Sequence, residues 1–141
     1  MHKIKRRVVV VGNSAVGKSS MLEFYCTGNM QSNYKMTKGC DVRSKLVECS
    51  NDRDVELYFL DMAGKDMYKV IVQKMLKDAH FVCLTYDSTD AQSFRELDTW
   101  HDLIKKSNGN RDLSGIIVST KNDLTTLREI DKTEAEDKAR R

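Results

Sequence analysis

Proline is absent from the 141 residues. So are internal repeats, low-complexity tracts and any obvious linker, and the chain therefore reads as one domain over residues 1–141. Charge of one sign is scarce as well: 24 Lys and Arg stand against 21 Asp and Glu, for a formal net charge of +3. The basic ends, Met1 to Arg7 and Lys138 to Arg141, are separated by mixed-charge sequence. A nucleic-acid footprint would be denser, so no nucleic-acid partner is expected. Long apolar runs are missing. The four valines Val8 to Val11 are too few for the core of a secretion signal and far short of the roughly 20 residues that span a bilayer. Four widely spaced cysteines, Cys26, Cys40, Cys49 and Cys83, make neither a disulfide framework nor a metal cluster, and a reducing cytoplasm is the default. No terminal cysteine box for prenylation is present, so no direct membrane anchor is expected and membrane contact would come through a partner. His80 and His101 lack metal-ligand spacing, His2 sits in the basic tail, and nothing suggests a nucleophile–base–acid triad.

What is present is an alternation of β-rich apolar runs with stretches of helical period, which is how a mostly parallel sheet with crossover helices reads. Val8 to Val11 is the first strand and Ser20 to Cys26 a helix. Cys40 to Cys49 and Val55 to Leu60 flank a polar turn and predict an antiparallel hairpin, so the sheet is mixed. Asp66 to Lys77 places Met67, Ile71 and Met75 at fourfold spacing and predicts a helix with those residues in the core. Phe81 to Tyr86 is a continuous buried strand. Phe94, Leu97, Trp100 and Ile104 stripe a third helix, Gly115 to Val118 is another strand, and Thr133 to Arg141 begins a charged helix.

The first strand delivers Gly12-Asn13-Ser14-Ala15-Val16-Gly17-Lys18-Ser19, followed by Ser20 and the first helix. This is the spacing of a phosphate-binding loop in the strand–loop–helix context its mechanism needs. Glycines let the backbone wrap an anion, amides and the positive helix end converge on one phosphate, Lys18 adds a point charge, and the Ser19 hydroxyl can ligate Mg²⁺. Asp61-Met62-Ala63-Gly64 ends a strand, where the Asp can hold the metal's water shell and the Gly64 amide can meet a terminal phosphate. Thr37, in the loop after Tyr34, can supply a second hydroxyl to the metal. Each of these two groups alone is a common turn; in order beside the octet they point to one site. Thr120-Lys121-Asn122-Asp123 follows the strand at Gly115, at a carboxyl edge where a ligand crevice is expected. A carboxylate there accepts two hydrogen bonds from guanine N1 and N2, a pair that adenine does not offer.

The chain is similar to Ras-superfamily small GTPases, and to Rab-like ones in particular. Residues 12–19, Thr37, Asp61 to Gly64 and Thr120 to Asp123 fall in that family's order and spacing, and Tyr86-Asp87, Ser93-Phe94 and Trp100 match its Rab branch. Short phrases, among them Asp61 to Asp66, Val82 to Asp87 and Thr37-x-Gly39-x-Asp41, resemble the Rab-like branch that serves in the intraflagellar transport B complex. The resemblance implies an α/β Ras-like P-loop domain, with a mixed, mostly parallel sheet and helices on both faces. It implies GTP or GDP with Mg²⁺ as cofactors, residues 12–20, Met30, Tyr34, Gly64, Thr120, Lys121 and Asp123 around the nucleotide, and Ser19, Thr37 and Asp61 around the metal. By the same resemblance the partner is a small β-sandwich intraflagellar-transport subunit with the rest of that complex, and the location is the cytoplasm and the cilium or flagellum.

The departures from the family pattern are specific. Lys65 stands where a Gln orients the attacking water; an ammonium has three donors and no acceptor, so slow hydrolysis is expected. Met30 replaces an aromatic ring against the guanine, and Thr120 replaces the commoner Asn. The last strand, the loop that contacts guanine O6 and the closing helix have no counterpart, so the domain reads as C-terminally incomplete, with a protein partner covering the exposed sheet face. Two readings follow: a slow GTPase used as a switch or structural subunit, or a scaffold that binds nucleotide weakly or not at all. An adenine-nucleotide kinase is disfavoured by Lys121-x-Asp123 and the lack of an Arg-bearing lid.

Overall fold

A computed structural model describes residues 2–30, 35–49, 53–109 and 111–141. The strands β1 (His2–Val11), β2 (Cys40–Cys49), β3 (Arg53–Met62), β4 (Phe81–Asp87) and β5 (Gly115–Thr120) form one sheet in the order β2-β3-β1-β4-β5. β1 pairs parallel with β3 and β4, β4 pairs parallel with β5, and β2 alone runs antiparallel, against β3. This is the Ras-like α/β arrangement anticipated above, with its hairpin at one edge. The central strand is longer than its valine run because the basic residues before Val8 pair with β3, His2 opposite Arg53 through Val10 opposite Asp61. The turn residues 50–52 lie outside the described residues.

Alternation along the strands divides the core in two. Val9, Val11, Val82 and Leu84 face one side with Val72 and Leu76 of α2 (Lys69–Leu76) and with Trp100 and Ile104 of α4 (Leu97–Ser107). Val8, Val10, Phe81 and Cys83 face the other, where α1 (Lys18–Thr27) contributes Met21 and Leu22. Helices therefore lie on both faces, but unequally. Beyond α1 the second face is an apolar groove of about 1000 Å³, lined by residues such as Phe59, Phe81, Ile116 and Val118. At the far end, Tyr86, Phe94, Leu97 and Ile130 form a third cluster against which Ala135 of α5 (Lys132–Arg140) packs.

The structure corrects the helix after residue 65. Its first turn is a 3-10 turn, Asp66–Tyr68, before α2 begins. Met67 lies in that turn and is 73% exposed, and Met75 is 36% exposed, while Val72 and Leu76 are fully buried. The 3-10 turn takes Met67 out of the helical count, and within α2 the buried face is Val72 and Leu76, one residue on from the expected Ile71 and Met75. The stripe from Phe94 to Ile104 is buried as expected, but over two helices, α3 (Ala91–Arg95) and α4, joined at Glu96. Asp90 caps α3, its carboxylate accepting from the Gln92 and Ser93 amides.

Candidate nucleotide and metal site

Residues 12–19 connect β1 to α1 in a conformation that two of the glycines make possible. Gly12 has φ 151° and lies so close to β4 that an added Cβ would sit 2.2 Å from the Thr85 carbonyl oxygen. Gly17, at φ 97°, is the N-cap of α1, and Ala15 adopts φ 63° without being glycine. Such left-handed positions turn successive amides toward one side, the geometry of an anion-binding nest. Val16 is buried and anchors the loop's underside. Asn13 is tied to the opposite layer, its Oδ1 accepting from Trp100 Nε1 at 2.9 Å.

Lys18 is 6% exposed and curls back, donating to the carbonyls of Gly12 at 2.9 Å and Asn13 at 2.7 Å. Burial lowers its pKa to about 8, partly offset by the negative charge of Asp61. The cleft in front of the loop, about 620 Å³, is lined among the described residues by Lys18, Lys35, Lys38, Arg43, Lys65 and Lys121, against the carboxylates of Glu23 and Asp41. That cationic excess suits a polyanion. Ser14, Ala15, Gly17, Ser19, Ser20, Thr37 and Gly64 line the same cleft.

Three residues far apart in the chain converge here: Ser19 and Thr37 line the cleft, and Asp61 lies buried against Ser19. Ser19 Oγ lies 2.8 Å from Thr37 Oγ1 and donates to Asp61 Oδ2 at 2.5 Å. Thr37 is carried there by the loop ahead of β2, whose Gly39 carbonyl accepts from the Ala63 amide at 2.9 Å. Asp61 is fully buried near the end of β3, and its Oδ1 has no hydrogen-bond partner among the described residues. A buried carboxylate oxygen is costly to leave unpaired, and two hydroxyls beside one carboxylate make the hard oxygen set that Mg²⁺ prefers, in which it usually keeps several waters. The residues present therefore fit that metal. Gly64 closes the site from above: an added Cβ would lie 2.3 Å from the Ser14 nitrogen and 2.6 Å from the Gly12 oxygen.

The loop after β5 is bound to the phosphate-loop segment. Thr120 Oγ1 bonds the Val16 carbonyl at 2.5 Å and the Tyr86 carbonyl at 3.0 Å, so its hydroxyl ties β5 to the loop and to β4. Lys121, at φ 56°, places Nζ 2.5 Å from Asp87 and 3.5 Å from the Ala15 carbonyl. Lys121 and the bonds from Thr89 hold the Asp87 carboxyl below its usual range, against the opposing effect of desolvation. Asp123 is exposed, and its carboxylate has no partner among the described residues. Neither Asp123, Thr120 nor Met30 lines the 620 Å³ cleft; Met30 is 72% exposed beyond the end of α1. Lys65 is exposed at the start of the 3-10 turn, between this cleft and a neighbouring one that includes Asn13 and Trp100. Tyr34 lies outside the described residues.

Sequence reasoning missed Arg43 and Glu23. Arg43 donates through Nη1 to Asp61 Oδ2 at 2.9 Å and through Nε to Glu23 Oε2 at 3.1 Å. Glu23 lies four residues after Ser19 on one helix face, but Arg43 reaches Asp61 only through the β2–β3 register, being two residues along from Asp41, the cross-strand partner of Asp61.

Comparison with known proteins gives a consistent picture. The Ras family model matches residues 7–141. The intraflagellar transport protein 27 homolog of Mus musculus is 30% identical over 139 residues, 96% of this chain and 75% of the relative. Its Homo sapiens counterpart is 30% identical over 138 residues, 96% of this chain and 74% of the relative. The Ras-related protein Rab-32C of Dictyostelium discoideum is 32% identical over 123 residues, 87% of this chain and 54% of the relative.

Proposed function

This chain belongs to the Ras family, as a Rab-like member, and from that premise we propose that it binds GTP and GDP with Mg²⁺ and serves in intraflagellar transport, as a conformational switch or as a structural subunit. The observation that carries the nucleotide reading is the convergence of Ser19, Thr37 and the buried Asp61 beside a cleft walled by six cationic side chains. The link to intraflagellar transport rests on the relatives' names and identities.

In this reading the amides of residues 12–19 and the N-terminal end of α1 hold the phosphates. Lys18 exchanges the Gly12 and Asn13 carbonyls for phosphate oxygens. Ser19 and Thr37 offer hydroxyls to Mg²⁺ and Asp61 orders its water shell; when bound, the ion neutralises charge on the terminal phosphates. The Gly64 amide meets a terminal phosphate. Lys121 braces the phosphate loop through Ala15 and Asp87, Thr120 fixes the loop's far side, and Asp123 reads guanine N1 and N2. Lys65 adds positive charge beside the phosphates, but it has no acceptor with which to orient water, so hydrolysis is slow.

A protein partner covers the apolar groove beside α1 and, by analogy with the relatives, belongs to an intraflagellar-transport assembly, with the cilium or flagellum as its place. No helix among the described residues is long and apolar enough to cross a membrane.

The base assignment is tested by exchanging the carboxylate for an amide. Asp123→Asn is expected to lose GDP and gain xanthosine diphosphate, whose altered edge pairs with the amide. Equal GDP affinity in the variant and the parent would overturn the assignment.

A further inference from the structure

Asp61 is the only carboxylate of the proposed metal set, yet a cation from this chain is already on it. One of its oxygens, Oδ2, receives both the Ser19 hydroxyl at 2.5 Å and the Arg43 guanidinium at 2.9 Å, while Oδ1 is buried without a partner among the described residues. The guanidinium is held from behind, because its Nε donates to Glu23 Oε2 at 3.1 Å. Each element contributes one member: α1 supplies Glu23, β2 supplies Arg43 and β3 supplies Asp61. Arg43 and Glu23 are about three-quarters buried in their side chains, and Asp61 is wholly so. Guanidinium is planar and keeps its charge at any physiological pH, and its fixed fork directs Nη1 to Asp61 and Nε to Glu23 from one rigid group.

This arrangement has an electrostatic consequence for any cation that approaches Asp61. A buried carboxylate that depends on a metal for its counter-charge is destabilised when the metal leaves. Here that counter-charge is covalently part of the chain. Conversely, a divalent ion whose water shell meets Oδ1 arrives beside a fixed positive charge on Oδ2 of the same carboxylate and is repelled by it. Glu23 screens that repulsion from the far side.

We propose that Arg43, held by Glu23, is a built-in counter-cation for Asp61 that weakens the demand of this site for Mg²⁺, so that nucleotide is retained in low Mg²⁺ or none. Arg43 is thus a positioning residue that acts on the metal through Asp61. The proposal rests on the nucleotide-and-metal reading above and adds to it a specific tuning of metal dependence.

The two side chains predict changes of opposite sign, which loss of packing alone does not. The measurement is the release rate of fluorescently labelled GDP in excess chelator divided by that in millimolar Mg²⁺, for the parent, Arg43→Met and Glu23→Gln. Arg43→Met removes the competing charge, and its ratio is expected to exceed the parent's by about tenfold or more, the lower end of what a charge at this range does to a carboxylate. Glu23→Gln leaves Arg43 in place but unscreened, and its ratio is expected to fall below the parent's. The Glu23 variant stands as a test alone should Arg43→Met fail to fold. Nucleotide bound with the same ratio in all three proteins overturns the counter-cation while leaving the functional reading intact. No labelled GDP bound by any of the three in either buffer overturns the functional reading, and this inference with it.

Discussion

Gly64→Ala perturbs the site at the point where the segment after β3 touches the phosphate loop. An ideal Cβ at position 64 would lie 2.3 Å from the Ser14 nitrogen, 2.4 Å from the Asn13 carbonyl carbon and 2.6 Å from the Gly12 oxygen. Ordinary carbon contacts are about 3.5 to 4.0 Å, so the two backbones must separate by about an ångström. All three atoms are main chain, and none can swing aside as a side-chain terminus would. Overpacking of this kind costs about 1 to 3 kcal/mol, which for a domain of this size lowers the melting temperature by roughly 3 to 10 °C. The displacement also carries the Gly64 amide away from where a third phosphate would lie. Losing one hydrogen bond to a charged group, about 1.5 to 3 kcal/mol, weakens GTP by at least about tenfold while sparing GDP. Differential scanning calorimetry reads the first effect, and paired GTP and GDP titrations of parent and variant read the second. An unchanged melting temperature would refute the close approach of the two segments. A lowered one with an unchanged GTP-to-GDP affinity ratio would refute the role of the Gly64 amide.

Two further outcomes are expected. Lys18 has a pKa of about 8 in the free protein because burial disfavours its charge; phosphate contact raises it, so nucleotide affinity is complete below pH 8 and falls by about tenfold per unit as pH rises above that value. Calorimetry at pH 9 in buffers of different ionisation enthalpy should show a proton taken up on GDP binding, and no uptake would show that Lys18 is already charged. Lys65→Gln supplies the missing acceptor and should accelerate single-turnover GTP hydrolysis; a parent as fast as the variant would show that another group positions the water.

Much of the fold was legible because its signals are local. The four valines, the glycine and hydroxyl spacing of residues 12–19 and the polar turn between two β-rich runs each state a backbone preference that tertiary contacts then reinforce. The exposure of Met67 and Met75 was not legible: Met67 falls in a 3-10 turn, and apolar residues at both 71/75 and 72/76 leave the choice of buried face in α2 to tertiary packing. Of the site, Ser19, Thr37 and Asp61 were recognisable from their motif contexts, and the structure brings them within hydrogen-bonding distance. Arg43 and Glu23 belong to no motif. Their meeting at Asp61 follows from the register that sets Asp41 opposite Asp61 and from the packing of α1 beside β2, both of them long-range facts. The bonds of the Thr120 hydroxyl to the Val16 and Tyr86 carbonyls join segments far apart in the chain and have no local signal either.

The most direct test of a guanine-nucleotide protein is what it carries. The purified chain, kept in Mg²⁺, is denatured and the released small molecules are separated by chromatography against nucleotide standards. GDP or GTP, approaching one per chain, is the expected result. Release of adenine nucleotide, or of none from protein also incubated with GDP, would contradict the assignment of this cleft.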